Sequence, residues 1–475
     1  MDSDELKLAA GSYSRRVAEE PEGEEDQSPP SIRGRDITLT LRLLSGREVH
    51  ISINEDATMA ELRRYIEKTL ALPAHLTRLY LGQDQVTSGY DSTLAQAGIE
   101  DEGVLTVVSV ASEEFEEVTL EGFGQQLLPA RLRKVKLSGA CAFWRHYTFR
   151  DALLGDKISI RCVKQAFSDE EWAGNLVKEI YLLQHFKHEN ILKLLDVPPA
   201  FEDFNDICIM VEHMDIDLAS VLRSSQELTE EHCQYLTYQI LRALSYMHSA
   251  GVIHHQLKPR VVMVNKNCHV KLTDFLDALP ANAVHFDDGD HNRWYRAPEL
   301  ILNQDWTALK LSGACDAWSV GCILAEMYRR KPLLPSRDAI THVQSILKLL
   351  GAPAEEEMEW VTNQKARDFV ARKAGCKLPT SGPDAWTASL GASEAAQELL
   401  RRLVVFDPRR RCTCQEALQE SYFQDWSDPE ERQLDRSAEP VDWTHLESVT
   451  SRDKQRQYVR QECHRRHPEF FEPKT

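Results

Sequence analysis

Apolar and polar residues alternate in the first patterned part of the chain. The stretch ITLTLRLLSGREVHISI has two alternating runs on either side of Ser45 and Gly46, which predicts a β-hairpin. The next stretch, NEDATMAELRRYIEKTLAL, repeats its apolar residues at helical spacing, and Thr58 followed by Glu61 predicts a capping box at the start of that helix. LTRLYLG and GVLTVVSV then add two strands, so the predicted order is β-β-α-β-β.

From about residue 130 the pattern changes to a short strand-rich stretch followed by a long helical one. KISIRCVKQAF and DICIMVEHM predict strands. Between them, SDEEWAGNLVKEIYLLQHF predicts a helix with Ser168 as its N-cap and Glu171 as the second member of a capping box. TEEHCQYLTYQILRALSYMHSAG predicts an amphipathic helix that ends at Gly251.

Composition restricts the partners more than it restricts the fold. The chain has 475 residues, enough for two or three domains, and a formal net charge of −19 at pH 7. Nucleic-acid backbones and anionic membrane surfaces repel such a chain on average, so neither is an expected partner, whereas basic peptides are. No apolar run approaches the roughly 18 residues of a membrane helix.

The N-terminus and the cysteines indicate the expected cellular location of the protein. Residues 1–35 are rich in Glu, Ser and Pro, which predicts a disordered acidic tail without a targeting signal. The eleven cysteines are scattered and lack the spacing of a zinc site. Reduced thiols and a cytoplasmic or nuclear location are therefore expected.

Residues 36–110 resemble ubiquitin, in the spacing of strands, turn and helix and in the stretches LYLG and EGVLTVV. Ubiquitin ends in Gly-Gly, whereas this segment continues through ASEEFEEVTLEGFG, so conjugation to other proteins is not expected. The resemblance implies a partner-binding patch at Leu44, Tyr80 and Val108 that could meet ubiquitin receptors. The alternative is that these are ordinary half-buried sheet residues. Residues 111–129 are predicted to be an acidic linker.

Residues 130–425 resemble the eukaryotic protein kinases and, among them, the mitogen-activated protein kinases. The most specific stretches are NRWYRAPEL, CDAWSVGCILAEMYRRKPLLP and LLRRLVVFDPRRRCTCQEAL. The resemblance implies an α+β, bilobal kinase fold behind an N-terminal β-grasp domain. It also implies an ion pair between Glu299 and Arg411, and a tie from Asp316 to the catalytic loop.

Some positions needed for phosphoryl transfer match the kinase pattern. By the resemblance, Lys164 corresponds to the lysine that contacts the ATP phosphates, Glu179 to its helix partner and Asp274 to the metal-binding aspartate. A structural Lys164–Glu179 ion pair without nucleotide is the alternative. Gly139 and Met214 are further candidate contacts to ATP, so ATP and Mg²⁺ remain open as cofactors.

Other positions of the catalytic loop have lost their chemistry. His255 and Gln256 stand where the family has arginine and the basic aspartate, Lys258 is retained, and Val261 replaces the metal-binding asparagine. An amide oxygen is a poor base and valine offers no ligand. A general base contributes about 10²–10⁴ in rate and an electrostatic group about 10²–10³, so catalysis is expected to be lost.

The regions around the loop are altered as well. LSGACAFW retains Gly139 of the glycine-rich loop but has Leu137 and Ala142 at the other glycine positions and Trp144 over the adenine site. Leu276 replaces the glycine after Asp274 and Phe275, which is expected to strain a left-handed backbone. In place of the phosphorylated Thr-x-Tyr stand Asp287, Asp288 and Gly289.

Residues 426–475 form a predicted docking and extension segment. FQDWSDPEER resembles the acidic common-docking patch of the family, with Asp428, Glu430 and Glu431 as candidate ligands for basic linear motifs; an ordinary solvated acidic turn is the alternative. SRDKQRQYVRQECHRRHPEFF is expected to fold back on the small lobe. The sequence favours a pseudokinase that works as a scaffold or allosteric partner, with a weak serine/threonine kinase or a ubiquitin-receptor adaptor as alternatives.

Overall fold

The structure, a computed structural model, describes residues 35–109, 114–140, 144–199, 204–281, 283, 293–303, 310–375, 382–426 and 438–468. These residues divide into two compact units. The strand-rich unit lies within Glu19–Ala173, Leu194–His213 and Ser451–Thr475. The helical unit comprises the remaining described residues, within Gly174–Lys193 and Met214–Thr450.

The strand-rich unit begins with a five-stranded sheet and one helix, which we call the N-terminal domain. Its elements are β1 (Asp36–Leu43), β2 (Glu48–Asn54), α1 (Met59–Leu70), β3 (Thr77–Leu81), β4 (Asp84–Gln85) and β5 (Val104–Ser109). The strand order is β2-β1-β5-β3-β4, with β1 antiparallel to β2 and parallel to β5. Thr58 and Glu61 form the predicted capping box on α1. The predicted β-β-α-β-β elements are all present, and the two-residue strand β4 is an addition that the sequence pattern did not predict.

Alternation explains why this sheet packs on α1. Leu39, Leu41, Leu79 and Leu105 occupy alternate strand positions and are fully buried, because their shared face meets the apolar side of α1. From α1 itself, Met59, Leu62 and Ile66 complete this core.

A second hairpin corrects the expectation of a linker. Within residues 111–129 the structure has β6 (Phe115–Leu120) and β7 (Gly124–Pro129), paired antiparallel. The acidic residues suggested a solvated linker, but Leu120, Phe123 and Leu128 are buried in one cluster with residues of the next sheet. Burial of those apolar side chains outweighs the local charge.

The next sheet contains β8 (Leu132–Ala140), β9 (Trp144–Asp151), β10 (Lys157–Val163), β11 (Leu194–Asp196) and β12 (Ile207–Glu212) in the order β11-β12-β10-β9-β8. Its two faces differ in chemistry. Tyr147, Ile160, Cys162 and Met210 face the β6–β7 hairpin. The opposite face carries a row across three strands in which Gly139 pairs with His146 and His146 pairs with Arg161.

The helix α2 (Glu170–His185) begins in the strand-rich unit and continues in the helical unit. Its cap differs from the prediction by one residue. The carboxylate of Asp169 accepts a hydrogen bond from the amide of Trp172 at 2.8 Å, whereas the amide of Ser168 closes a turn onto the carbonyl of Gln165. Asp169 therefore caps the helix, because the chain does not turn into it until after Ser168.

The helix α13 (Arg452–Arg466) confirms that the C-terminal segment folds back. The side-chain amide Nε2 of Gln455 donates to the carbonyl of Glu170 at 2.9 Å, and the thiol of Cys463 donates to the carbonyl of Pro198. His467 Nε2 lies 2.9 Å from Asp196 Oδ1. These contacts hold α13 on the strand-rich unit.

The helical unit is built around α4 and α6. Its helices are α3 (Leu218–Arg223), α4 (Glu230–Ser249), α5 (Glu299–Leu302), α6 (Ala314–Arg329), α7 (Ala339–Leu350), α8 (Gln364–Gly375), α9 (Gly382–Ala388), α10 (Glu394–Leu403), α11 (Cys414–Ala417) and α12 (Trp443–Ser448). Short strands add a sheet of β13 (Ile216–Asp217), β15 (Val262–Val264) and β16 (Val270–Leu272), and a pair of β14 (Val252–Ile253) and β17 (Leu279–Pro280).

The core helices follow from the sequence pattern. Thr229 caps α4, and Gly251, with φ of +75°, follows the helix end as predicted. From Ala314 to Met327 every residue of α6 is buried, as expected for a helix surrounded by others. No described helix is both long and apolar enough to cross a membrane.

Candidate functional site

The loop between β14 and β15 is anchored by Asp316 at the start of α6. Its carboxylate accepts hydrogen bonds from the amides of His254 and His255, both at 2.9 Å. His248 Nε2 lies 2.9 Å from the same carboxylate. Asp316 is almost completely buried. The tie predicted between this residue and the catalytic loop is present.

Charge and burial act against each other at this anchor. Burial by itself would raise the pKa of Asp316, but the hydrogen bond and charge of His248, together with His254, bring it below its ordinary value. Burial lowers the pKa of His254, which favours a neutral imidazole. Burial thus opposes charge on both groups, and at Asp316 the hydrogen bonds and neighbouring charges outweigh it.

The side chains of the loop offer little chemistry. Gln256 and Lys258 are half-buried, and the amide of Gln256 donates to the carbonyl of His254 at 2.8 Å. Val261 lies in a short 3-10 turn, Pro259–Val261, and is buried. Its carbonyl accepts from the amide of Thr273 at 3.0 Å, so the main chain joins the neighbouring strand while the side chain packs.

Asp274 and Phe275 follow β16. Asp274 has φ of +68°, and its buried Oδ1 has no hydrogen-bond partner among the described residues. The ring of Phe275 lies 5.6 Å from the rings of Phe186 and His254. The expected strain at Leu276 is not found: the left-handed residue in this turn is Asp274, because the chain reverses two residues earlier.

A pair of magnesium ions does not fit the described residues. The unpartnered oxygen of Asp274 is suited to one cation. Val261 supplies no oxygen from its side chain, and no group of three His, Cys, Asp or Glu side chains that could hold a metal occurs within the described ranges. Among the described residues of this loop and of the turn after β16, Asp274 is the carboxylate whose oxygen lacks a hydrogen-bond partner, which leaves too few ligands for the two-metal arrangement of active kinases.

Lys164 is exposed at the end of β10, outside the strand. Its Nζ lies 5.9 Å from the ring centroid of Phe123, in the loop of the β6–β7 hairpin. Lys164 therefore points toward the hairpin side of the sheet. The strand register puts Arg161 and His146 on the other side, with Ser159 and its partner Val211.

That other side of the sheet carries the polar residues His146, Ser159 and Arg161 beside Val211. Burial, followed by the charges of Arg161 and His213, lowers the pKa of His146 from 6.5 to about 4. Ser159 Oγ lies 3.0 Å from Nδ1 of His213. The sequence patterns did not reveal this cluster, because it depends on the cross-strand register; the alternating polar residues of ISIRC were the available signal.

The structural pairs of the helical unit are intact. Arg411 donates to both carboxylate oxygens of Glu299, at 2.6 and 3.0 Å, and both side chains are buried. Its guanidinium also stacks on Trp318, 5.1 Å from the ring centroid.

Comparison with known proteins identifies this framework. The family model of the protein kinase domain matches residues 136–423, more than half of the chain. The chain belongs to the protein kinase family. The α+β kinase fold class predicted from the sequence is thereby confirmed.

Several relatives of this kinase chain are mitogen-activated protein kinases. It is 38% identical to mitogen-activated protein kinase 5 of Oryza sativa subsp. japonica over 309 residues, 64% of this chain and 80% of the relative. It is 38% identical to mitogen-activated protein kinase 4a of Physcomitrium patens over 277 residues, 58% and 72% respectively. With extracellular signal-regulated kinase 1 of Dictyostelium discoideum, the 37% identity over 326 residues covers 66% of this chain and 59% of the relative.

The remaining predicted residues fall in several places of the kinase chain. Glu179 and Met214 are buried in the helical unit, and Gly139 lies in β8. The side chain of Trp144 is outside the described part. Also outside it are Ala142, the segment with Asp287, Asp288 and Gly289, and the docking candidates Asp428, Glu430 and Glu431.

The patch predicted on the N-terminal domain is partly formed. Tyr80 and Val108 are half-buried and lie on the outer face of the sheet, because their pairing partners Thr106 and Arg78 alternate with the buried core residues. Leu44, directly after β1, is 74% exposed. The structure thus brings Tyr80 and Val108 to one face and leaves Leu44 accessible at the end of a strand.

Proposed function

We propose that this kinase chain is a pseudokinase of the mitogen-activated protein kinase family that acts as a signalling scaffold or allosteric partner. The observation that supports this most directly is the loop held by Asp316. Its main chain is anchored as a kinase requires, yet Gln256 and Val261 occupy the positions of the base and of a metal ligand. A protein that only binds partners needs the kinase fold but not the catalytic base or the metal ligand.

Restoring the reagents tests this proposal. We expect no measurable transfer of phosphate from ATP to a peptide by the natural chain, and the same background for Asp274→Ala. The double variant Gln256→Asp, Val261→Asn regains a base and a metal ligand, so its transfer should rise above that background, by about 10² or more. The triple variant that adds Asp274→Ala is the matched control and should return to background.

A weak serine/threonine kinase is the second candidate function. It is favoured by the buried Oδ1 of Asp274, which has no hydrogen-bond partner in the part of the chain that the structure describes and is suited to hold one Mg²⁺. Transfer by the natural chain that disappears in Asp274→Ala would establish this candidate and reject the pseudokinase.

We infer that basic linear motifs are the partners. The acidic residues Asp428, Glu430 and Glu431 and the net charge of −19 support this choice, since Lys and Arg clusters bind such surfaces. Reversing all three to lysine should weaken binding of a Lys/Arg-rich peptide at least tenfold. Glu447→Lys, an exposed residue of α12, is the control and should leave binding unchanged. Equal binding by all three proteins would place the docking site elsewhere.

We also propose that the N-terminal domain is ubiquitin-like, which its strand order and the position of α1 support. An adaptor for ubiquitin receptors is then a third candidate function, favoured by the exposure of Leu44. Leu44→Glu should abolish binding of a ubiquitin-interacting helix, whereas Tyr65→Glu, at an exposed position on α1, should not. Absence of binding by the natural chain would reject the adaptor.

A further inference from the structure

The N-terminal domain contacts the turn between β9 and β10. Arg64, on the exposed side of α1, donates to the carbonyl of Leu154 at 3.1 Å and pairs with the carboxylate of Asp156. Both charged side chains are about half exposed, so this ion pair is screened by water and contributes little by itself. It serves to set the direction in which α1 meets the turn.

The centre of the contact is the ring of Tyr90 on Gly155. A Cβ atom at Gly155 would stand 2.1 Å from Cδ2 of that ring, so glycine is required for the approach. Arg150 donates to the Tyr90 hydroxyl and to the carbonyl of Gly155, each at 3.1 Å, and its guanidinium lies 5.6 Å from the ring centroid. Tyr90 is thus gripped by a hydrogen bond, a cation–π contact and close packing.

Both partners of the contact are ordered by their own domains. On one side, the buried carboxylate of Asp151 accepts from the amides of Leu153 and Leu154, at 2.7 and 3.2 Å, and from Nε of Arg131 at 2.7 Å. On the other, the carbonyl of Tyr90 accepts from the amide of Ala60 at the start of α1. Because neither side must be ordered on docking, the entropic cost of the contact is small.

We propose that this surface docks the N-terminal domain in cis, with the glycine turn between β9 and β10 as its partner. The domain then braces the strands β9 and β10, which carry His146 and Arg161, and is not a module swinging on a flexible connection. Docking uses α1 and the loop of Tyr90, so the face with Tyr80, Val108 and the nearby Leu44 takes no part in it. The proposal does not depend on whether the chain transfers phosphate.

Substitution of Gly155 tests the brace through its effect on the other domain. In the full chain we would measure amide hydrogen exchange of peptides that cover 58–64 and 89–92. Gly155→Ala should drive the Tyr90 ring out and speed exchange there at least tenfold, although these peptides lie more than 60 residues away in sequence. The matched control is Gly82→Ala, which has a similar φ of +65° and nothing within 4 Å of the added Cβ. It should affect its own turn alone.

Substitution of Tyr90 tests the same contact from its other side, so the result does not depend on correct folding of the Gly155→Ala variant alone. Tyr90→Ala should speed exchange over residues 151–157, whereas Tyr65→Ala, from an exposed site on α1, should not. Unchanged exchange across the contact in both Gly155→Ala and Tyr90→Ala would overturn the proposal. Protection of 151–157 that falls on dilution would also overturn it, because the contact would then join two copies of the chain.

Discussion

Arg411 is the residue whose loss we expect to destabilise the helical unit most. Arg411→Ala leaves the buried carboxyl group of Glu299 without its partner, and it removes further bonds from the guanidinium to the carbonyls of Ala314 and Val405. The expected loss is about 3–5 kcal/mol in the free energy of unfolding, measured by urea denaturation. Arg410→Ala, at an exposed neighbour, should cost under about 1 kcal/mol. Equal effects would show that the buried pair is not the source.

His146 makes a second prediction at this scale, through pH. Its folded pKa, about 4, lies below the 6.5 of the unfolded chain, so the unfolded chain binds the proton more tightly. Stability is then lost as the pH falls from about 6.5 to about 4. Between pH 7 and 5 this group accounts for about 2 kcal/mol at most.

The variant His146→Gln isolates this contribution. It should make the free energy of unfolding less dependent on pH over this range, measured by urea denaturation at both pH values. His50→Gln, at an exposed position of β2, should keep the full dependence. A His146→Gln chain with the natural pH profile would contradict the burial of this imidazole.

At the scale of elements, the N-cap of α2 should give two adjacent residues, Ser168 and Asp169, different effects on stability. Asp169→Ala removes the bond to the amide of Trp172 and should cost about 0.5–2 kcal/mol, measured by thermal or urea unfolding. Ser168→Ala should change stability by less than about 0.5 kcal/mol, because the hydroxyl of Ser168 is not the group that caps the helix. A larger loss of stability for Ser168→Ala than for Asp169→Ala would show that Ser168 is the N-cap, as the sequence pattern predicts.

Elements with a strong local signal could be predicted from sequence. The helix α1 combines apolar spacing with a capping box, and α4 ends two residues before Gly251, so both have the expected type and closely match the expected bounds. The β6–β7 hairpin could not be predicted in the same way. Its Leu120 and Phe123 are interspersed with acidic residues, and their burial depends on a sheet formed by residues that follow later in the chain.

The site shows the same division. The resemblance to the kinase catalytic loop identifies Gln256 and Val261, because the positions of that motif lie close together in the sequence. The environment of Lys164 was not, because its contact with Phe123 is made through the hairpin. The cluster of His146, Arg161 and His213 likewise requires the register of three strands and their connection to β12.

For the whole molecule, nucleotide binding gives the clearest test. We expect no Mg²⁺-dependent rise in the melting temperature of the full chain with millimolar ATP. A ligand at 100 times its dissociation constant would stabilise it by about 2.7 kcal/mol. The variant Val261→Asn is the informative comparison, because the oxygen of its asparagine side chain restores one metal ligand near Asp274. A clear Mg²⁺-dependent shift in the natural chain would show that one carboxylate is enough to hold the metal.

The contact between Tyr90 and Gly155 shows why assembly at this scale lies beyond motif analysis. Its members belong to two separate motifs, and neither motif requires the other. Gly155, in the turn between β9 and β10, was the available signal in sequence, and many turns contain a glycine.

The grip of Asp316 on its loop has an evolutionary consequence. It holds the amides of residues 254 and 255, and every amino acid except proline presents the same amide. Substitution of the side chain at 255 therefore leaves its anchoring amide in place, so the chemistry of this loop can change while Asp316 continues to hold the main chain. For the same reason the loop is suited to protein design, because new catalytic side chains can be introduced on a backbone whose conformation is already fixed.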